Sequence, residues 1–80
     1  MNFYEYHEKI QELVEGVEFE SLAGKAGEIS ASVGRLRLQL VTEGLSLSTQ
    51  DRAIIAFELE CLDEAIGHAL NYERAKRIGI

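Results

Sequence analysis

The last thirty residues of the chain carry two neighbouring seams of apolar side chains, and this pattern constrains the fold more than any other feature. In both seams the apolar positions lie three and four residues apart, which places them on one face of an α-helix. The first seam consists of Ile55, Leu59, Leu62, Ile66 and Ala69, and the second of Ile54, Phe57, Cys61, Ala65, His68 and Tyr72. One partner helix covers only one stripe. The pattern therefore predicts a central helix with two packed neighbours.

A short connection links this helix to another one before it in the chain. Gly44 suits a helix C-terminus, where a positive φ is often needed, and Ser48 suits the N-cap of the next helix. The preceding segment has its own apolar stripe, which consists of Leu22, Ala26, Ile29, Val33, Leu36 and Leu40. Because so short a connection turns the chain back on itself, helices 2 and 3 are predicted to form an antiparallel hairpin.

Helix 2 is unusually rich in small residues, namely Gly24, Gly27, Ser30, Ala31, Ser32 and Gly34. Each glycine inside a helix costs about 1 kcal/mol relative to alanine. Either the stretch from Gly16 to Gly24 is a loop, or the small residues let another backbone come close. We favour a break between Gly16 and Ser21, with helix 2 starting near Ser21 or Leu22.

The N-terminal segment predicts a third, shorter helix packed across the hairpin. Its apolar stripe consists of Phe3, Tyr6, Ile10, Leu13 and Val17, and a row of acids, Glu5, Glu8, Glu12 and Glu15, follows the same period. At about 100° per residue the two stripes point in nearly opposite directions. The predicted fold class is all-α, with residues 1–80 as a single helical domain, either a three-helix bundle or a dimeric helical bundle.

Length and charge restrict the partners. Eighty residues are near the lower limit for independent folding, and for so short a chain burial barely offsets the ordering entropy. We therefore expect a homodimer of two hairpins, with a monomer in which helix 1 covers the second seam as the alternative.

The net charge of −6 disfavours direct contact with nucleic acid and favours a basic protein partner. No apolar run suggests a membrane span, and the lone Cys61, without a disulfide partner, indicates a cytoplasmic protein.

No group of residues predicts catalysis, a metal site or a cofactor. Glu58 projects between the two seams and is expected to face the region from Gly34 to Arg37, which predicts an ion pair with Arg37. A polar residue that fixes the register of an oligomer is the alternative. No second acid, nucleophile or base accompanies Glu58, so the chain is not expected to be an enzyme. Cys61 and His68 are about 10 Å apart along the helix, too far to share one metal ion.

The segment from Glu43 to Ile66 resembles the small antitoxins that inhibit Fic-type AMP-transferases. The resemblance rests on Glu43-Gly44-Leu45, followed by a helix with Asp63-Glu64-Ala65-Ile66. The family motif has Ser or Thr four residues before the Glu-Gly pair, whereas this chain has Gln39 there, so the defining residue is absent. The resemblance covers less than a third of the chain. It implies antitoxin-like inhibition of a Fic-type enzyme as one alternative function.

The expected function is that of a small acidic protein-binding module, an inhibitor or adaptor of the type found among phage and mobile-element products. The acidic row, with about 5 Å of helix per step, could meet a basic surface that otherwise takes nucleic acid. An ordinary solvated helix face is the plain alternative for this row. The main functional alternative is a structural subunit or secretion-type chaperone that holds a partner helix in an apolar groove.

Overall fold

The computed structural model describes residues 1–79 and contains three α-helices. Helix α1 spans Phe3–Val14, α2 spans Phe19–Glu43 and α3 spans Thr49–Arg77, with a 3₁₀ turn at Gly44–Ser46 between α2 and α3. No strand occurs within residues 1–79, so the all-α class predicted from the sequence is confirmed. The molecule is elongated, with principal extents of 49 × 20 × 17 Å.

The helix starts are set by polar caps. The Asn2 side chain accepts a hydrogen bond from the Glu5 backbone, and the Glu5 carboxylate accepts one from the Asn2 backbone, which forms a capping box. The Ser48 hydroxyl accepts from the Asp51 N–H at 3.0 Å, and this confirms the predicted N-cap of α3.

The break between α1 and α2 lies at residues 15–18, where Gly16 adopts φ +70°. Glycine allows this conformation without steric cost, and α2 begins slightly before the predicted start.

Gly44 ends α2 for a different reason from the one predicted. Its φ is −82°, an ordinary value that any residue adopts, so the expected positive φ is wrong. The residue is buried instead, and a Cβ atom placed there would lie 3.1 Å from Leu40 Cδ1. Space, rather than backbone conformation, therefore favours glycine at this turn.

The core joins all three helices, and α2 and α3 pack closely against each other. The buried residues of α2 are the predicted stripe, Leu22, Ala26, Ile29, Val33, Leu36 and Leu40. From α3 the first seam contributes Ile55, Leu59, Ile66 and Ala69, with Leu62 partly buried against them. Helix α1 contributes Tyr6 and Ile10. Helix α2 thus buries its whole predicted stripe, whereas α1 and α3 each bury part of theirs.

Within the single chain the second seam of α3 remains largely uncovered, so α1 does not cover it as the monomeric alternative predicts. The expected homodimer, in which a second copy would cover this seam, stays a prediction. Phe57 is 66% exposed, and Ile54, Tyr72 and Cys61 are exposed as well. Helix α1 has only 12 residues and meets α3 between the seams, at Glu58. The position of Cys61 on an apolar seam suggests a small core residue, but its side chain is exposed in the single chain.

Candidate functional site

The acidic row lies on the solvent face of α1. Glu5, Glu8, Glu12 and Glu15 are all exposed, whereas Tyr6 and Ile10 on the opposite side of the helix are buried. Within residues 1–79 none of the four carboxylates forms an ion pair. The row therefore projects a line of carboxylates without ion-pair partners in this range from a face that the core does not use.

Glu5 differs from the other members of the row because its carboxylate has a structural partner. Its Oε1 atom accepts from the Asn2 N–H at 3.0 Å, as part of the capping box. A negative charge in the first helical turn also interacts favourably with the helix dipole. The sequence signal, Asn2 followed by Glu three residues later, could have indicated this role. Three carboxylates, on Glu8, Glu12 and Glu15, remain free of such a contact.

Basic side chains of α1 and α2 stand beside one edge of the row. Glu12 lines a shallow hollow with Lys9 and Arg35, and Glu12 and Glu15 line another with Lys25. Arg35 donates a hydrogen bond to the Ser32 hydroxyl at 2.9 Å and forms no ion pair with the row. A third hollow, which Glu8 lines together with Glu12 and Glu15, has no basic residue in its lining.

The structure corrects the predicted pairing of Arg37 with Glu58. Arg37 forms an ion pair with Asp63, and Glu58 pairs with His7 of α1. Asp63 lies five residues after Glu58, which places the two acids about 140° apart around α3. Helix α2 packs on the Asp63 flank and α1 on the Glu58 flank, so each acid meets a different neighbour.

His7 and Glu58 form the polar link between α1 and α3. His7 Nδ1 lies 2.9 Å and 3.1 Å from the two carboxylate oxygens of Glu58, and the Phe3 ring stacks on the imidazole with an interplanar angle of 8°. An ionised carboxylate only accepts hydrogen bonds, so Nδ1 carries the donated hydrogen. Sequence reasoning did not predict this pair, because the sequence gives no sign of which acid on α3 would face His7.

Tyr6 is fully buried, and its hydroxyl has no hydrogen-bond partner. Burial raises the pKa of the Tyr6 phenol above its usual value, and the negative charge of Glu43 raises it further. A buried hydroxyl without a partner loses its hydration without compensation. The residue is therefore a local defect in an otherwise apolar core.

A second candidate surface is the apolar hollow between α1 and α3. Its lining is mostly apolar, with Ile10, Val14, Phe57, Cys61 and Leu62 beside the polar Gln11 and Glu58. It runs into the exposed second seam through Phe57. An apolar recess beside an exposed aromatic side chain is typical of protein contact surfaces.

No group of three or more His, Cys, Asp or Glu residues within residues 1–79 could hold a metal ion. In the same part of the chain, no helix combines the length and the apolar character that a membrane span requires. Comparisons of the chain with known protein families, curated proteins and solved structures found no match.

Proposed function

We propose that this chain is a small protein-binding module, an inhibitor or adaptor that occupies a basic surface of a partner protein through the acidic row of α1. A binding role, rather than an enzymatic one, fits the separation of its polar groups, because Glu58, Asp63 and His68 do not converge on one site. The proposal includes a cytoplasmic location, where Cys61 would stay reduced. An origin in a phage or mobile element rests only on the general resemblance in size, charge and fold class to such proteins.

The architecture that we infer is an antiparallel hairpin of α2 and α3 with α1 packed across it as a three-helix bundle. The contacts support this order: Phe19 near the start of α2 touches Tyr72 near the end of α3, and Arg37 pairs with Asp63. Residue numbers rise along α2 as they fall along α3. In this arrangement α1 lies on the outside of the hairpin, so a partner could reach its acidic face without disturbing the core.

The observation that carries the proposal is the exposure of Glu8, Glu12 and Glu15 without an ion pair among the described residues. Successive members stand one helical turn apart, a spacing that matches a row of basic side chains or phosphate-binding groups on a partner. Such a contact steers association and is weakened by salt. A plain solvated face would have the same exposure, and only a binding measurement separates the two.

The test is capture of partners from a lysate of the source organism on the immobilised chain. Wild type is compared with the double variant Glu8→Lys/Glu12→Lys, and the matched control is Glu60→Lys/Glu64→Lys. The control introduces the same charge change with the same spacing on an exposed face of α3. We expect the α1 variant to lose the captured protein and the α3 variant to keep it. Capture should also fall steeply between about 0.1 M and 1 M salt, as the Debye length shortens from about 10 Å to about 3 Å.

A structural subunit or secretion-type chaperone is the second candidate function, and the apolar hollow beside Phe57 favours it. An apolar contact should hardly change with salt, and Phe57→Ser should abolish it while Glu8→Lys/Glu12→Lys leaves it intact. That combination of results would refute the acidic-row proposal. Inhibition of a Fic-type enzyme has the least support, because Gln39 provides no hydroxyl at the motif position.

A further inference from the structure

The face of α2 opposite the core carries a second regular stripe, which we name the outer stripe. Its first half is small, with Gly24, Gly27, Ala31 and Gly34, and its second half is large, with Leu38 and Val41. Leu45 of the following 3₁₀ turn extends the large half. These positions alternate in steps of three and four residues, and all seven are exposed. Leu38, Val41 and Leu45 are 65%, 73% and 75% exposed, respectively. Three aliphatic side chains in one line are thus presented to solvent.

The fold of a single chain gives no reason for the glycines of the outer stripe. A Cβ atom placed at Gly24, Gly27 or Gly34 would meet nothing within 4 Å. Glycine inside a helix is unfavourable relative to alanine, so these residues weaken α2 without serving its own packing. Gly44 shows the contrast, because there a neighbouring side chain occupies the space.

We propose that the outer stripe is a dimer interface, in which α2 of one copy packs antiparallel against α2 of a second copy. In this pairing Leu38 lies opposite Ala31 of the second copy. Val41 lies opposite Gly27, and the two-fold axis passes near Gly34. The large half of each copy then fills the small half of the other, so the stripe is complementary to itself, as a two-fold interface requires. A parallel pairing would instead leave a gap at the glycine end.

Charge also favours a second copy on this face. Helix α2 carries three glutamates and three basic residues, so two copies meet there without net repulsion. The exposed second seam of α3 is less suitable, because Glu58, Glu60 and Glu64 lie beside it. On α2, Arg35 is turned towards Ser32, which keeps its guanidinium away from the stripe.

The size of the contact sets the expected affinity. From Gly24 to Val41 the helical part of the stripe is about 26 Å long, and a helix surface of about 10 Å width gives a contact smaller than the usual 800 Å² per partner. We therefore expect a dissociation constant in the micromolar range rather than an obligate dimer. Sedimentation equilibrium from about 1 µM to about 1 mM should show the mass rising from 8.9 kDa towards twice that value.

The decisive variant is Gly27→Gln, since a long side chain fits the free space in the monomer and blocks the small half of the stripe. We expect the helicity measured by circular dichroism to equal that of wild type, and the dissociation constant of the dimer to rise at least tenfold. Leu38→Gln, at a position that is mostly exposed, should have the same effect. Phe57→Ser on the second seam is the control and should leave dimerisation unchanged.

Orientation is tested by cross-linking in a Cys61→Ser background. Antiparallel pairing predicts that Ala31→Cys and Leu38→Cys chains form a mixed disulfide when combined, while neither cross-links efficiently with itself. Efficient self-linking of Leu38→Cys would indicate a parallel pair and overturn the proposal. So would a wild type that stays monomeric to about 1 mM, a Gly27→Gln variant that dimerises normally, or loss of the dimer in Phe57→Ser.

Discussion

Replacing Tyr6 by phenylalanine should stabilise the protein. Tyr6 is completely buried, and its hydroxyl has no partner. An unsatisfied buried polar group costs about 1–3 kcal/mol, and removal of the group recovers part of that cost. The aromatic ring, which supplies the packing, is unchanged. We expect the free energy of unfolding to rise by about 1 kcal/mol, which for a chain of this size raises the melting temperature by about 4–8 °C.

The measurement is thermal and urea denaturation followed by circular dichroism, with protein concentration held constant because self-association would shift the midpoint. Tyr4→Phe is the matched control. It makes the same chemical change in the same helix at a side chain that is 77% exposed, so its effect should stay within about 0.5 kcal/mol. A Tyr6→Phe variant that is less stable than wild type would refute the reasoning, since the hydroxyl would then have a favourable partner.

Burial of the Tyr6 phenol also predicts that the stability difference between Tyr6→Phe and wild type changes at alkaline pH. Burial first, and then the charge of Glu43, raise the pKa of the Tyr6 phenol in the folded state. Its protonated form is therefore favoured by folding, and its contribution to stability is fully present below the unfolded pKa of about 10. That contribution declines as the pH rises from this value through the folded pKa. The stability gained by Tyr6→Phe should accordingly grow above about pH 10, and an unchanged difference would contradict the assignment.

Three further substitutions test the core, a cap and an ion pair. Leu59→Ala removes a side chain with no exposure and should cost about 2–5 kcal/mol in urea denaturation. Ser48→Ala removes the acceptor for the Asp51 N–H and should cost about 1 kcal/mol, measured in the same way. Arg37→Ala breaks a half-exposed ion pair with Asp63, and we expect a loss below about 1 kcal/mol.

Each of these substitutions has a control in the chain. Leu70→Ala, at an exposed site of α3, should cost clearly less than Leu59→Ala, and equal losses would mean that the described core is wrong. Ser46→Ala lies in the same connection as Ser48 and caps no α-helix, so a similar loss there would contradict the capping role. For the ion pair, Asp63→Ala should match Arg37→Ala, and a loss above about 3 kcal/mol would indicate a buried pair instead.

The sequence was sufficient for features that depend on spacing along one helix. The core stripe of α2, the first seam of α3 and the N-cap at Ser48 were all identified from the period of apolar residues and from local cap chemistry. The exposed acidic face of α1 followed in the same way. These features depend on residues at most four positions apart, and the geometry of a helix relates such residues without knowledge of its neighbours.

The sequence could not determine how the helices sit around one another. The partners of Glu58 and Arg37 depend on which flank of α3 each neighbour covers, and no periodicity in one helix contains that information. For the same reason the sequence could not show whether α1 covers the second seam, most of which is exposed in the single chain because α1 meets α3 at Glu58. The free space beside Gly27 and Gly34 also became evident only in the tertiary structure. A glycine in a sequence does not reveal whether a neighbour fills the space that a side chain would take. Periodicity along a helix is a local property, whereas pairing across helices depends on the positions of all three, and only the folded chain decides them.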